Sequence, residues 1–228
     1  MSARANPQAE DVAAAARRPI GFDSAFRARL RDLLVWRRDV RQFRRDPLPS
    51  GALEALIELA CLAPSVGLSQ PWRFVIVENG AIRAAIRQNF TACNADALAA
   101  QSRERAALYA RLKLAGLEEA PAHLAVFADR ATAQGHGLGR HTMPEMIDYS
   151  TVTAVHTIWL AARAQGIGMG WVSILDADAV AAALDVPAAW KFIGYFCLGY
   201  PQADDTMPEL EQMGWEQRRL PSSVILRR

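Results

Sequence analysis

The chain has 228 residues, 51% hydrophobic and 22% charged, enough to bury a sizeable core as one large domain or two small ones. With 26 basic and 24 acidic residues the net charge is only +2, and the basic residues fall in clumps rather than one stripe, which argues against nucleic acid. No apolar run reaches the roughly 20 residues needed to cross a membrane, and "MSARANPQAEDVAAAARRP" lacks a signal peptide's apolar core. A cytoplasmic protein with a loose leader over residues 1–22 is expected. Cys61, Cys93 and Cys197 each sit in apolar context without metal-ligand spacing, and buried free thiols are predicted.

Asp23 is placed to cap a helix through "SAFRARLRDLLVWRR", where Phe26, Leu30, Leu33 and Leu34 recur at helical spacing. "DPLPS" ends it, and Ser50 is expected to cap "GALEALIELACLA". After the loop "PSVGLSQPW", the run "RFVIVE" reads as a central strand. Two alanine-rich helical stretches follow, over about residues 80–94 and 96–118, and then the strand "AHLAVFAD". A glycine-rich loop, "AQGHGLGRHTMPE", leads into "MIDYSTVTAVHTIWLAARAQG", a helix apolar around much of its circumference and therefore expected to be buried on several sides, in part by another subunit. The pattern closes with "GMGWVSIL" as strand, "DADAVAAALDV" as helix, "KFIGYFCLGY" as strand, and a tail whose "SSVILR" is a short β-like run with no hairpin partner. Strands separated by helices point to an α+β fold with a mostly antiparallel sheet, in a single domain over residues 23–228.

Three stretches could carry chemistry. "WRRDVRQF" (residues 36–43) sets Asp39 among Arg37, Arg38, Arg41, Arg44 and Arg45. Guanidinium forks match phosphate oxygens, so the run reads either as an anion clamp or as a solvated ion-pair network. "APSVGLSQPW" offers Ser65, Ser69 and Gln70 between two prolines, either a pocket wall or an ordinary connector. "GIGMGWVSI" has three glycines in five residues, which would let backbone approach something flat, and Ser173 is expected to share a strand face with Trp171 and Leu175. His123, His136, His141 and His156 form no ligand pattern, so no metal is expected, and His156 reads as a core histidine. "GHGLG" lacks the spacing and the strand-to-helix context of a dinucleotide loop.

Together these motifs resemble the flavin-dependent nitroreductase superfamily, from about residue 29 to 221. "RRDVR", "APSVG..QPW.F", "LKLAG" and "WLAARAQGIGMGWVSI" are most similar to its 5,6-dimethylbenzimidazole synthase branch. The resemblance implies a nitroreductase-like α+β homodimer whose C-terminal tail, about 204–228, adds a strand to the partner's sheet, with FMN between the subunits. It also implies that Arg37, Arg38, Val40 and Arg41 hold the FMN phosphate and ribityl region, helped by Arg219 or its neighbour Arg218. Ser65 would come from the partner's loop, and Leu112 from a lid over about residues 90–118.

The same resemblance implies an activity that consumes reduced FMN and dioxygen and yields 5,6-dimethylbenzimidazole and erythrose 4-phosphate. Asp39 is then expected as the general base over the flavin's sugar chain, and Ser173 as a hydrogen-bond partner of the ring. NAD(P)H would act only indirectly, by reducing flavin, either in this protein or in a partner flavin reductase. An NAD(P)H-dependent nitroreductase or flavin reductase and a non-catalytic flavin-binding protein are the alternatives.

Overall fold

The computed structural model describes residues 21–111 and 116–228. Residues 33–228 form one compact unit, which carries the whole sheet. Ahead of it in sequence, α1 (Ser24–Trp36) starts as expected, with Asp23 accepting a hydrogen bond from the Phe26 amide at 2.7 Å. Its apolar positions Phe26, Leu30 and Leu34 are exposed.

Helix α2 spans Ala52–Ala60. It begins at Gly51, whose φ of 77° is the left-handed conformation that glycine adopts without strain, so Ser50 does not cap it. Next come β1 (Trp72–Ile76), α3 (Gly80–Ala99), α4 (Arg103–Arg111) and α5 (Gly116–Glu119). Asn79 caps α3 through the amides of Ala81 and Ile82. The predicted break near residue 95 is absent: α3 runs through it to Ala99, and α4 starts after Ser102, which accepts from the Arg105 amide. The remaining elements are β2 (Ala122–Asp129), α6 (Met146–Ala164), β3 (Gly168–Val172), α7 (Ala177–Ala183), β4 (Trp190–Gly199) and α8 (Glu209–Gln212).

The four strands form an antiparallel sheet in the order β1-β2-β4-β3. β1 is therefore an edge strand in this chain, not a central one; its apolar run reflects helices on both faces rather than strands on both sides. Alternation along β2 and β4 sends Leu124, Val126, Phe196 and Leu198 into a core with α2 and α6. Ala125, Phe127, Tyr195 and Cys197 go to the opposite core with α3, α5 and α7. Between β2 and β4 the register skips from Val126–Gly194 to Phe127–Phe192, so Ile193 is a bulge that sharpens the twist.

One polar pair lies inside the second core. His123 bonds Tyr195 Oη through Nδ1 at 2.9 Å and the Ala120 carbonyl through Nε2 at 3.2 Å. A carbonyl only accepts, so Nε2 carries the proton and Tyr195 donates to Nδ1. Burial pushes His123 down to about 4 and pushes the Tyr195 hydroxyl up. On α6, burial alone would push the Asp148 carboxyl up, but hydrogen bonds from Arg130 and Lys191, both at 2.7 Å, hold it below the usual range.

Several expectations are corrected. His156 is exposed on α6, beside the exposed Tyr149 and Val152, because the buried stripe of that helix runs through Ile147, Thr151, Ala154, Val155, Ile158 and Ala162. Only Cys197 is a buried thiol; Cys61 is exposed and Cys93 half-buried. The tail from residue 216 onward forms no strand in this chain, only a short 3-10 turn at Pro221–Ser223, and every residue of it is exposed. Among the described residues no helix is long and apolar enough to cross a membrane.

Candidate active site

The arginine-rich segment is laid along the free edge of β3 by backbone hydrogen bonds. The Val40 amide donates to the Met169 carbonyl at 3.1 Å, and the Arg44 amide to the Tyr200 carbonyl at 2.8 Å. Val40 and Phe43 turn into the core beneath, which explains two apolar residues three apart in a charged run. Two of the three glycines of "GIGMG", Gly168 and Gly170, face this segment. A Cβ on Gly170 would lie 2.1 Å from the Val40 carbonyl oxygen, and one on Gly168 2.8 Å from a Val40 methyl. The flat object these two glycines admit is the backbone and side chain of Val40.

Asp39 is fixed at both oxygens. Oδ1 accepts from the Trp171 amide at 2.9 Å, and Oδ2 from Arg41 Nε at 3.2 Å. Each carboxylate oxygen has two acceptor sites, so each keeps one. Arg41 is largely buried; its Nη1 has no partner among the described residues, and Glu209 stands 4.0 Å from its Nε. A buried, unpaired guanidinium nitrogen is costly unless a ligand satisfies it.

The other arginines differ in availability. Arg37 lies over the Trp159 ring at 4.9 Å; burial pushes its pKa down, against the pull of Asp39 and with the push of Arg218. Arg38 donates to the carbonyls of Thr206, Arg37 and Val35, so its guanidinium is already engaged with backbone. Its pKa is also lowered, first by burial and then by the charges of Arg218 and Arg37. The charge of Arg218 bears on both Arg37 and Arg38, although Arg218 is exposed like Arg219 and stands 3.7 Å from Glu211.

Asp39, Val40 and Arg41 form one wall of a cavity of about 130 Å³, faced by Gly170 and the chain from Trp171 to Ile174. Ser173 lines it, exposed and one residue beyond the end of β3 rather than inside the strand. Phe90 from α3 and Gly116 at the start of α5 border the same cavity, so both ends of the expected lid reach it. Leu112 lies outside the described residues. A second cavity, about 350 Å³, opens on the other flank of residues 38–42 and is edged by Glu209 and Gln212 of α8.

Ser65 lines neither cavity. It opens a 3-10 turn at Val66–Leu68, and its Oγ accepts from the Gln70 amide at 3.1 Å. Sequence reasoning missed Phe90, Gly116 and Cys197. Phe90 carries a readable signal, as the one aromatic residue of α3. Cys197 reaches the cavity only because β4 pairs it with Gly170, a register that no local pattern announces.

These residues fit a flavin nucleotide: a buried guanidinium with one unpaired nitrogen, further cations at Arg37 and Arg218, and a carboxylate and a hydroxyl at one cavity. Residues 34–200 match the nitroreductase family. A protein named 5,6-dimethylbenzimidazole synthase from Rhodospirillum rubrum is 58% identical over 206 residues, covering 90% of this chain and 97% of the relative. A protein of the same name from Rhodobacter capsulatus is 45% identical, covering 87% and 96%. Among solved structures, an iodotyrosine deiodinase bound to FMN and 3-iodo-L-tyrosine is 25% identical with a TM-score of 0.68, covering 87% of this chain and 97% of that one. The chain therefore belongs to the nitroreductase family and, within it, to the 5,6-dimethylbenzimidazole synthases.

Proposed function

We propose that this protein, as a homodimer, converts reduced FMN and dioxygen to 5,6-dimethylbenzimidazole and erythrose 4-phosphate. The observation that carries the reading is the Asp39 carboxylate, held at the cavity wall between the Trp171 amide and Arg41 with acceptor sites to spare. Reduced FMN would supply the electrons that dioxygen takes up, and the product's atoms would come from its ring together with the one sugar-chain carbon that erythrose 4-phosphate does not retain. Arg37 and Arg218 hold its phosphate, and the unpaired Nη1 of Arg41 takes an oxygen of the nucleotide. Asp39 removes a proton on the sugar-chain side, and Ser173 donates to the ring edge across the cavity. Phe90 and Gly116 border the site and limit the access of water.

Incubating the purified protein with reduced FMN in air tests this, with 5,6-dimethylbenzimidazole as the expected product. Steady NAD(P)H oxidation with FMN left intact would instead support a nitroreductase or flavin reductase. Tight FMN binding with neither outcome would support a binding protein. Adding NADH anaerobically to the FMN-loaded protein then separates an intrinsic source of reduced flavin from a partner reductase.

A further inference from the structure

The glycine-rich loop over residues 135–139 has no part in the site described so far, yet it is pressed against the loop that begins at Ser65. A Cβ on Gly135 would lie 2.6 Å from the Gly67 carbonyl oxygen, and one on Gly139 2.6 Å from a Val66 methyl. The contact is mutual: a Cβ on Gly67 would meet the Gly135 carbonyl oxygen and Leu138 Cβ, each at 3.0 Å. Gln134 adds polar ties, its Nε2 donating to the Leu68 carbonyl at 2.8 Å and to Gln70 Oε1 at 3.1 Å. From the other side α6 holds the same loop, the Val66 amide donating to Ser150 Oγ at 3.0 Å and the Thr153 hydroxyl shared between the Ser150 carbonyl at 2.7 Å and the Pro64 carbonyl at 2.9 Å.

The braced loop needs such support. Leu68 and Gln70 take positive φ angles of 55° and 42°, conformations that side-chain-bearing residues hold only when their surroundings impose them. The result is a fixed Ser65. Its Oγ accepts from the Gln70 amide, which leaves the hydroxyl proton free to donate outward.

We infer that the 135–139 loop is a brace that sets the direction of the Ser65 hydroxyl, making Gln134, Gly135 and Gly139 positioning residues for flavin binding. The inference rests on the role that the family resemblance implies for Ser65, at the partner subunit's flavin. Its geometric half, one loop holding the other, stands on the contacts alone.

The test uses the full-length protein, oxidised FMN as probe, and three readouts: the FMN dissociation constant by fluorescence quenching, the absorption bands of bound flavin, and melting temperature without flavin. Gln134→Ala removes exposed hydrogen bonds only, and is expected to weaken FMN binding about three- to tenfold and shift the flavin bands, with melting temperature unchanged. Gly139→Ala, which adds backbone strain at φ 77° to the Val66 contact, should weaken binding more, and adding Val66→Ala should restore only the contact's share, a non-additivity that marks direct contact. If both single variants bind FMN as the wild type does, or lose affinity only in step with melting temperature, the brace is overturned. Ser65→Ala separates the two levels. Should it leave binding and bands unchanged, the role given to Ser65 fails and takes the brace with it; should it weaken binding while the brace variants do not, only the brace fails.

Discussion

At the scale of single residues, the site turns on a carboxylate with two tasks. Asp39 ties the arginine segment to β3 through the Trp171 amide, and it is the proposed base. Asp39→Asn therefore does more than remove basicity. If the amide oxygen keeps the Trp171 bond, the amide NH2 faces Arg41 Nε, donor against donor. FMN binding is expected to weaken modestly, and 5,6-dimethylbenzimidazole formation to fall by about two to four orders of magnitude. Equal product formation in wild type and variant would reduce Asp39 to an ion-pair partner. Arg41→Ala should raise the FMN dissociation constant by about 10- to 100-fold, from loss of a charge-assisted bond. A parallel titration with riboflavin, which has no phosphate, shows whether Arg41 reads the phosphate or another oxygen. His123 makes a separate prediction. Its folded-state pKa of about 4 lies below the usual 6.5, so the unfolded chain takes up the proton first as pH falls. Stability present above pH 6.5 should decline by roughly 3 kcal/mol by pH 4 and then level off as far as this residue is concerned. Urea unfolding of wild type and His123→Gln across that range checks it, the variant showing the shallower decline. Asp39 was legible in the sequence because a lone acid among arginines is a local anomaly. Phe90, Gly116 and Cys197 meet at the cavity from three distant elements, and their nearness exists only after folding.

At the scale of elements, composition announced where most strands and helices lie but not what surrounds them. β2 and β4 were readable as apolar runs because both faces of the sheet are covered by helices. The edge position of β1 was not, since burial of the faces and pairing of the edges leave the same imprint on a short strand. Likewise Ser173 looked like a strand residue by alternation, whereas β3 ends one residue earlier. β3 and the arginine segment approach each other closely at Gly170. Gly170→Ala would set a methyl at 2.1 Å from the Val40 carbonyl oxygen, a backbone atom that cannot rotate away. The segment should lift from β3, taking Asp39 and Arg41 with it. The expected result is a folded protein of lower melting temperature that no longer binds FMN, and retained FMN affinity would show that the segment holds its place by other means.

At the scale of the whole molecule, apolar surface remains that one chain cannot cover. Tyr149 and Val152 on α6 are exposed, as are Leu220, Val224, Ile225 and Leu226 in a tail with no strand of its own. A second copy covering both would account for them. Deleting residues 216–228 is then expected to yield a monomer in sedimentation and to abolish FMN binding, because Arg218 leaves with the tail. An intact dimer that still binds FMN would remove the tail from the proposed assembly. The sequence hinted at this in an orphan β-like run, which in the single chain carries only the 3-10 turn at Pro221–Ser223. The cavity wall also has a bearing on chemical durability. Cys197 lines a site proposed to handle dioxygen, where stray peroxide would be generated beside a sulfur atom. Only the thiolate is readily oxidised, and burial pushes the Cys197 thiol up to about 12, so it stays protonated at any physiological pH. Under the proposed function the enzyme carries a sulfur next to its oxidant without making it a target, and peroxide or iodoacetamide should mark the exposed Cys61 long before Cys197.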